Sequence, residues 1–260
     1  MTDPASTPPP PGPGEDPRRP RIEARFGAWN RAWQLAAETT PEYLDASLEL
    51  DSVAERGGRL SPKVRALVGL VLAAAVTHLS TERMRRRMRE ALDAGASPEE
   101  IIEVLVVAAT VGVHGMNADV LAEVLAERGS PEASAELAEH QVRIRDEYVA
   151  VRGYWRDFLD ETLRLAPEFL ETYLEFSGAP WRVGVLEPKV REFLYLAFDT
   201  APTHLHMTGL RIHMNNALDH GASVGEIVEV MALAAAMGLE TLERGMPLLA
   251  EELDRRESAL

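Results

Sequence analysis

Two thirteen-residue stretches carry scarcely a polar side chain: IIEVLVVAATVGV from Ile101 and IVEVMALAAAMGL from Ile227. Both are long for a strand and short for a membrane span, so each reads as a core helix. Val64–Val76 is likewise too short to cross a bilayer. A helix that is apolar all round must be covered on every side, by partners from both copies or from another subunit. The signals before these runs agree. Ser97-Pro98-Glu99-Glu100 is a capping box, and Ser223 with Glu226 forms another. Gly95 and Gly221 stand where a left-handed residue ends the preceding helix. The pattern thus predicts helices over 81–94 and 98–111, and again over 207–220 and 224–237.

Those pairs belong to a duplication. Residues 60–113 align with 186–239 at a constant offset of 126, with 25 identities in 54 pairs and no gap. The same register matches Trp29 with Trp155 and PEYL at Pro41 with PEFL at Pro167. Pro62 and Pro188 each suit a first helical position, where the missing N–H is harmless. The expected fold class is all-α, with two tandem helical repeats packed as one pseudo-symmetric body. The expected organisation is a disordered Pro-rich tail over 1–21, a first repeat over 22–128, a linker and lead-in helix over 129–151, and a second repeat over 152–260.

Composition narrows the function classes. A net charge of −15 makes nucleic-acid binding unfavourable, because phosphate contacts need clustered cations. The absence of cysteine removes disulfides, thiolate catalysis and thiolate metal ligands. The N-terminus lacks the apolar core of a signal peptide, so a cytoplasmic location and no membrane partner are expected. Arg83, Arg85, Arg86, Arg87 and Arg89 encircle one helix of the first copy and suit carboxylate partners or a subunit contact. Lys63 and Lys189 hold equivalent positions and suit a structural role better than Schiff-base chemistry.

The copies diverge in a way that points to chemistry. His206, Leu210, His213, Ala217 and His220 form one helical stripe in copy two, where copy one has Ser80, Met84, Arg87, Ala91 and Ala94. His204 answers His78, whereas Asp199 replaces Ala73 and Glu240 replaces His114. Histidine suits proton transfer near neutral pH and also ligates metals. The catalytic candidates are His213, His206 and Glu240. His204, Asp199, Trp181 and Arg211 are candidates for substrate binding. In the alternative, His204, His206 and His213 hold a divalent metal together with Asp199 or Glu240. His204 is shared between copies and also suits a structural job at a helix start. Trp181 also suits a core plug. His220, beside Gly221, suits a helix C-terminus.

The segment PWRVGVLEPKVREFLYLAFDTAPTHL, continued by GLRIHMNNALDHGAS and EIVEV, resembles the carboxymuconolactone decarboxylase family of the alkylhydroperoxidase-D-like fold. The resemblance covers nearly all of residues 26–255 as a tandem pair. Its motifs are Pro-Lys-x-Arg and the signature running from His213 through Ala217 and Gly221 to Glu226. In the first copy Arg87 stands where the signature has histidine. Peroxidase relatives carry C-x-x-C at positions that here are His206 and Gly209, or Ser80 and Arg83, so peroxidase chemistry is excluded.

What the resemblance implies is a lyase that needs no cofactor, loses carbon dioxide from an activated acid and protonates the carbanion, with His213 delivering the proton. The expected function is a cofactor-independent lyase or isomerase acting on a small oxygenated carboxylic acid or carbonyl compound. A metal-dependent enzyme and a non-catalytic binding or assembly protein are the alternatives. The expected partners are a small-molecule substrate and further copies of the chain. A homo-oligomer is expected, and a trimer by resemblance to tandem members.

Overall fold

The computed structural model describes residues 15–56, 58–116, 118–131, 136–153, 155 and 157–259. Helices α1 (Arg19–Phe26), α2 (Arg31–Thr39), α3 (Pro41–Glu55), α4 (Pro62–Ala74), α5 (Thr81–Asp93), α6 (Pro98–Thr110) and α7 (Ala118–Glu127) make up the first half. Then come α8 (Glu139–Arg152), α9 (Asp157–Leu165), α10 (Pro167–Val183), α11 (Pro188–Thr200), α12 (Met207–Asp219), α13 (Val224–Ala235) and α14 (Glu240–Ser258). No strand occurs among the described residues. The four helices predicted from the capping signals appear within about two residues of their expected ends.

Two compact units are present, and their division does not follow the repeat boundary. The first comprises the chain up to Arg59 together with Ala232–Leu260. Its core joins Ile22, Phe26, Trp33, Leu44, Leu48 and Leu239, with Phe26 stacked on Trp33 at 5.3 Å. This core corrects the tail reading of 1–21. Arg18 donates to Asp16 at 2.8 Å, Pro20 sits in the first turn of α1, and fully buried Ile22 anchors that helix. Residues 1–14 of the expected tail lie outside the described residues.

The second unit, Leu60–Met231, holds the central helices of both copies. Beyond their first residues, α4 is buried from Ala66 to Ala74 and α11 from Val190 to Asp199, and α11 packs on both α4 and α6. Leu159, Leu163, Leu170 and Leu174 form a second core beneath α9 and α10. Equivalent residues meet across the join. Thr77 Oγ1 lies 3.4 Å from Thr203 Oγ1, its partner at the 126-residue offset. Arg65 donates to Glu229 at 2.9 Å, and its counterpart Arg191 donates to Glu103 at 2.7 Å. Glu229 also accepts from Leu60 N, as Glu103 does from Leu186 N. Such reciprocity is the mark of a twofold relation, here between the two repeats within one chain.

The capping boxes explain the two lysines. Lys63 Nζ donates to Glu100 at 2.8 Å and Lys189 Nζ to Glu226 at 3.0 Å. Burial acts to raise the carboxyl pKa of Glu226, but hydrogen bonds from Ser223 and Lys189 outweigh it and hold it below the usual range.

The apolar helices are only partly covered within one chain. Ile102 on α6 is 60% exposed, and Val228 on α13 is 56% exposed. Each helix buries one side against the fold, so an all-apolar composition leaves the other side uncovered. The apolar pattern also runs on past Val113. Pro98–Glu127 is long and apolar enough, by length and composition, to cross a membrane. A 3-10 turn at Val111–Gly115 interrupts it, and 53% of its most apolar window is buried within the fold, as in a core helix.

Candidate active site

Helix α11 is an apolar rod with a polar stripe. Glu192, Tyr195 and Asp199 fall at intervals of three and four, hence on one face. Copy one has Ala66, Gly69 and Ala73 at these positions. All three copy-two side chains are buried. The stripe faces α12, which packs closely on α11.

His213 on α12 meets the stripe. Its Nδ1 lies 2.6 Å from Glu192 Oε2, and Asn216 Nδ2 donates to Glu192 Oε1 at 3.2 Å. The bond to Glu192 thus engages Nδ1 and leaves Nε2 as the other ring nitrogen. The Tyr195 ring stacks on the imidazole at 4.6 Å. His213 Nε2 then faces Asp199, with Oδ2 4.0 Å away. In copy one, Arg87 replaces this histidine and lies over Gly69, where any Cβ would fall 2.6 Å from its Nε. Arg87 donates there to Glu90, the counterpart of Asn216. Tyr195–His213 and Gly69–Arg87 are thus two matched packing solutions.

Asp199 is 1% exposed, and neither carboxylate oxygen has a hydrogen-bond partner among the described residues. Three imidazoles surround it. His204 Nε2 and His206 Nδ1 each stand 3.8 Å from Oδ1. His114, in the 3-10 turn after α6, shares a 2.7 Å hydrogen bond with His204 and stacks on His206 at 4.0 Å. Desolvation lowers the pKa of His204; the Asp199 charge opposes this and His206 reinforces it. His206 caps α12, its Nδ1 accepting from Gly209 N at 3.2 Å. Its side chain, 27% exposed, is the open side of the cluster.

Backbone geometry brings His204 and His206 together. Residues two apart on a helix face apart, but these two flank Leu205, whose φ of 51° is left-handed. Leu79 repeats that turn with φ 47°, so it belongs to the shared frame. Gly209 is required by the site itself. A Cβ there would lie 2.1 Å from Asp199 Oδ2 and 2.5 Å from His206 Nδ1. We predict that Gly209→Ala destabilises the fold by about 1–3 kcal/mol through overpacking. A thermal melt checks this; an unchanged midpoint would mean that Asp199 turns aside freely.

Several sequence candidates fall elsewhere. Trp181 lies under the Arg191 guanidinium, 4.8 Å from ring centroid to Cζ, and so supports the Arg191–Glu103 pair. Arg211 is exposed on α12, two positions from His213 and on the opposite side. His220 forms the C-cap of α12. Glu240 opens α14 in the first unit, outside the unit that holds the cluster. In the metal alternative, His213 is replaced by His114: the four groups whose ligand atoms lie within 4.8 Å of one another are His114, Asp199, His204 and His206. Sequence reasoning missed His114, Glu192, Tyr195 and Asn216 as site residues. The polar stripe on α11 was a usable signal for Glu192 and Tyr195. His114 comes from the other copy and had none.

The sequence profile described as the Carboxymuconolactone decarboxylase family matches residues 41–122 and 167–251. No curated protein matches the chain. Among solved structures, a protein of Burkholderia xenovorans LB400, described provisionally as a gamma-carboxymuconolactone decarboxylase subunit, is similar with a TM-score of 0.84 and 37% identity. That similarity covers 94% of this chain and 100% of the other.

Proposed function

Because this chain belongs to the carboxymuconolactone decarboxylase family, we propose that it is a lyase or isomerase acting on a small oxygenated carboxylic acid or carbonyl compound, with His213 as its proton carrier. The observation that carries this reading is the buried Glu192–His213 pair, which leaves His213 Nε2 directed at the Asp199 cluster. Glu192 holds the imidazole by Nδ1, so Nε2 is the atom that exchanges a proton, and a negative neighbour stabilises the imidazolium. In a decarboxylation, the electron pair of the breaking C–C bond stays on the substrate as an enolate. His213, starting as the imidazolium, then delivers its Nε2 proton to that carbon and is reprotonated from water. In an isomerisation, the same atom removes a proton beside a carbonyl and restores it one position away. His204 and His206 are the donors nearest a developing oxyanion, and His206 is the side from which substrate enters.

The surroundings of His213 favour chemistry over mere packing. It is buried among Glu192, Tyr195, Asn216 and Asp199, whereas an assembly protein needs no ionisable cluster inside its core. The exposed apolar side chains of α6 and α13, Ile102 and Val228 among them, support assembly as a homo-oligomer.

The test is an assay of the purified chain in D2O against a panel of small lactone acids, β-keto acids and enol-forming ketones. Carbon dioxide release and deuterium uptake into carbon are followed by mass spectrometry. We expect at least one substrate to exchange or decarboxylate well above the buffer rate. A panel that stays at the buffer rate throughout, while some of its members bind saturably, would replace this reading with the binding protein.

A further inference from the structure

From the geometry around Asp199 we infer that His114, Asp199, His204 and His206 form a binding site for one divalent transition-metal ion of the zinc type. This shares its location with the proposed proton chemistry but does not depend on it. The starting observation is the Asp199 carboxylate: buried in an apolar helix, with both oxygens lacking a hydrogen-bond partner among the described residues. An unpartnered buried carboxylate is costly, and a cation is one way to satisfy it.

The distances fit that answer. His204 Nε2 and His206 Nδ1 are each 3.8 Å from Asp199 Oδ1, too long for a hydrogen bond. Nitrogen and oxygen ligands sit about 2.0–2.2 Å from zinc, so two of them on one ion are separated by roughly 3–4 Å. All four ligand atoms already lie within 4.8 Å of one another, and an ion would take the place of the 2.7 Å His114–His204 hydrogen bond, whose two nitrogens must part slightly. His206 would give up its long Nδ1 contact to Gly209 for the ion. Three imidazoles and one carboxylate suit zinc, ferrous iron or manganese, and no thiolate is needed.

Two independent features agree. Gly209 leaves open the space beside Asp199 Oδ2 and His206 Nδ1 that any Cβ would occupy. The set is also specific to one site: at the positions of Asp199, His204, His206 and His114, the other copy has Ala73, His78, Ser80 and Glu240. Beside His213, a bound ion would polarise a carbonyl or carboxylate oxygen of a substrate.

The full chain, stripped with chelator, is titrated with Zn2+ by calorimetry and with Co2+ by visible absorption. We expect one ion per chain, d–d bands from nitrogen and oxygen ligands, and a higher melting temperature with Zn2+. His114→Ala and Asp199→Asn are each expected to weaken binding by at least about tenfold. They should also lose the Zn2+ shift in melting while keeping helical circular dichroism, whereas exposed His140→Ala keeps all three signals. Should either variant fail to fold, the intact chain still decides: intense d–d bands of four-coordinate Co2+ that His206→Ala loses support the site, and weak six-coordinate bands overturn it. Absence of stoichiometric binding, or binding that both variants retain in full, would overturn the site. Metal binding without turnover would leave this site standing and sink the proposed reaction; turnover in fully stripped protein that binds no metal would do the reverse.

Discussion

His213→Ala is expected to lower the turnover found in the D2O assay by about 10²–10⁴-fold, the usual range for a positioned acid–base group. The loss should fall on kcat, because the imidazole acts on a proton in flight more than on substrate affinity. Glu192→Gln should lose less. It keeps the shape of the acceptor and the Asn216 contact but removes the charge that steadies an imidazolium. His220→Ala, at an exposed helix end of α12, should leave the rate unchanged. Helical circular dichroism must survive in each variant for the comparison to count. A His213→Ala enzyme with wild-type kcat would remove the residue from the chemistry altogether.

The second large effect concerns stability. Glu103 accepts from Arg191 Nε at 2.7 Å and from the backbone N–H groups of Val185 and Leu186 at 2.6 and 2.9 Å. Both side chains of the ion pair are 5% exposed. Glu103→Ala strands a buried guanidinium and two N–H groups, and the expected cost is about 3–5 kcal/mol. Its counterpart Glu229→Ala supplies an internal control. Arg65, its partner, is 17% exposed and regains water more easily, so that cost should be clearly smaller. Urea unfolding measures both. Combining Glu103→Leu with Arg191→Met should recover most of the loss, since replacing a buried pair by apolar side chains is often neutral. Equal midpoints for Glu103→Ala and Glu229→Ala would show that burial does not set the difference.

Much of the frame was legible in the residues. Ser97 with Glu100, Ser223 with Glu226, and the glycines at 95 and 221 placed helix ends, because capping is local chemistry. Comparing the copies located Asp199, His206 and His213, since a shared fold leaves function as the main reason to differ. The same comparison held Glu192 against Ala66 and Tyr195 against Gly69, but a polar residue within an apolar helix shows its purpose only when its neighbour is known. His114 was legible only as the counterpart of Glu240. The twofold relation delivers it to the other copy's site, and no pattern along one chain encodes that exchange. The all-apolar runs show which faces avoid water, but not how the cover is shared between this chain and another subunit.

The reciprocal bonds Arg65–Glu229 and Arg191–Glu103, with Thr77 against Thr203, have an evolutionary corollary. Two separate identical subunits joined this way would possess two equal sites, and every substitution would strike both. Fusing them into one polypeptide removes that coupling. Ala73, Ser80 and Arg87 could then accumulate on one side while Asp199, His206 and His213 stood on the other. Linkage thus lets a symmetric assembly hold an asymmetric centre, with one half retained as scaffold and as donor of His114.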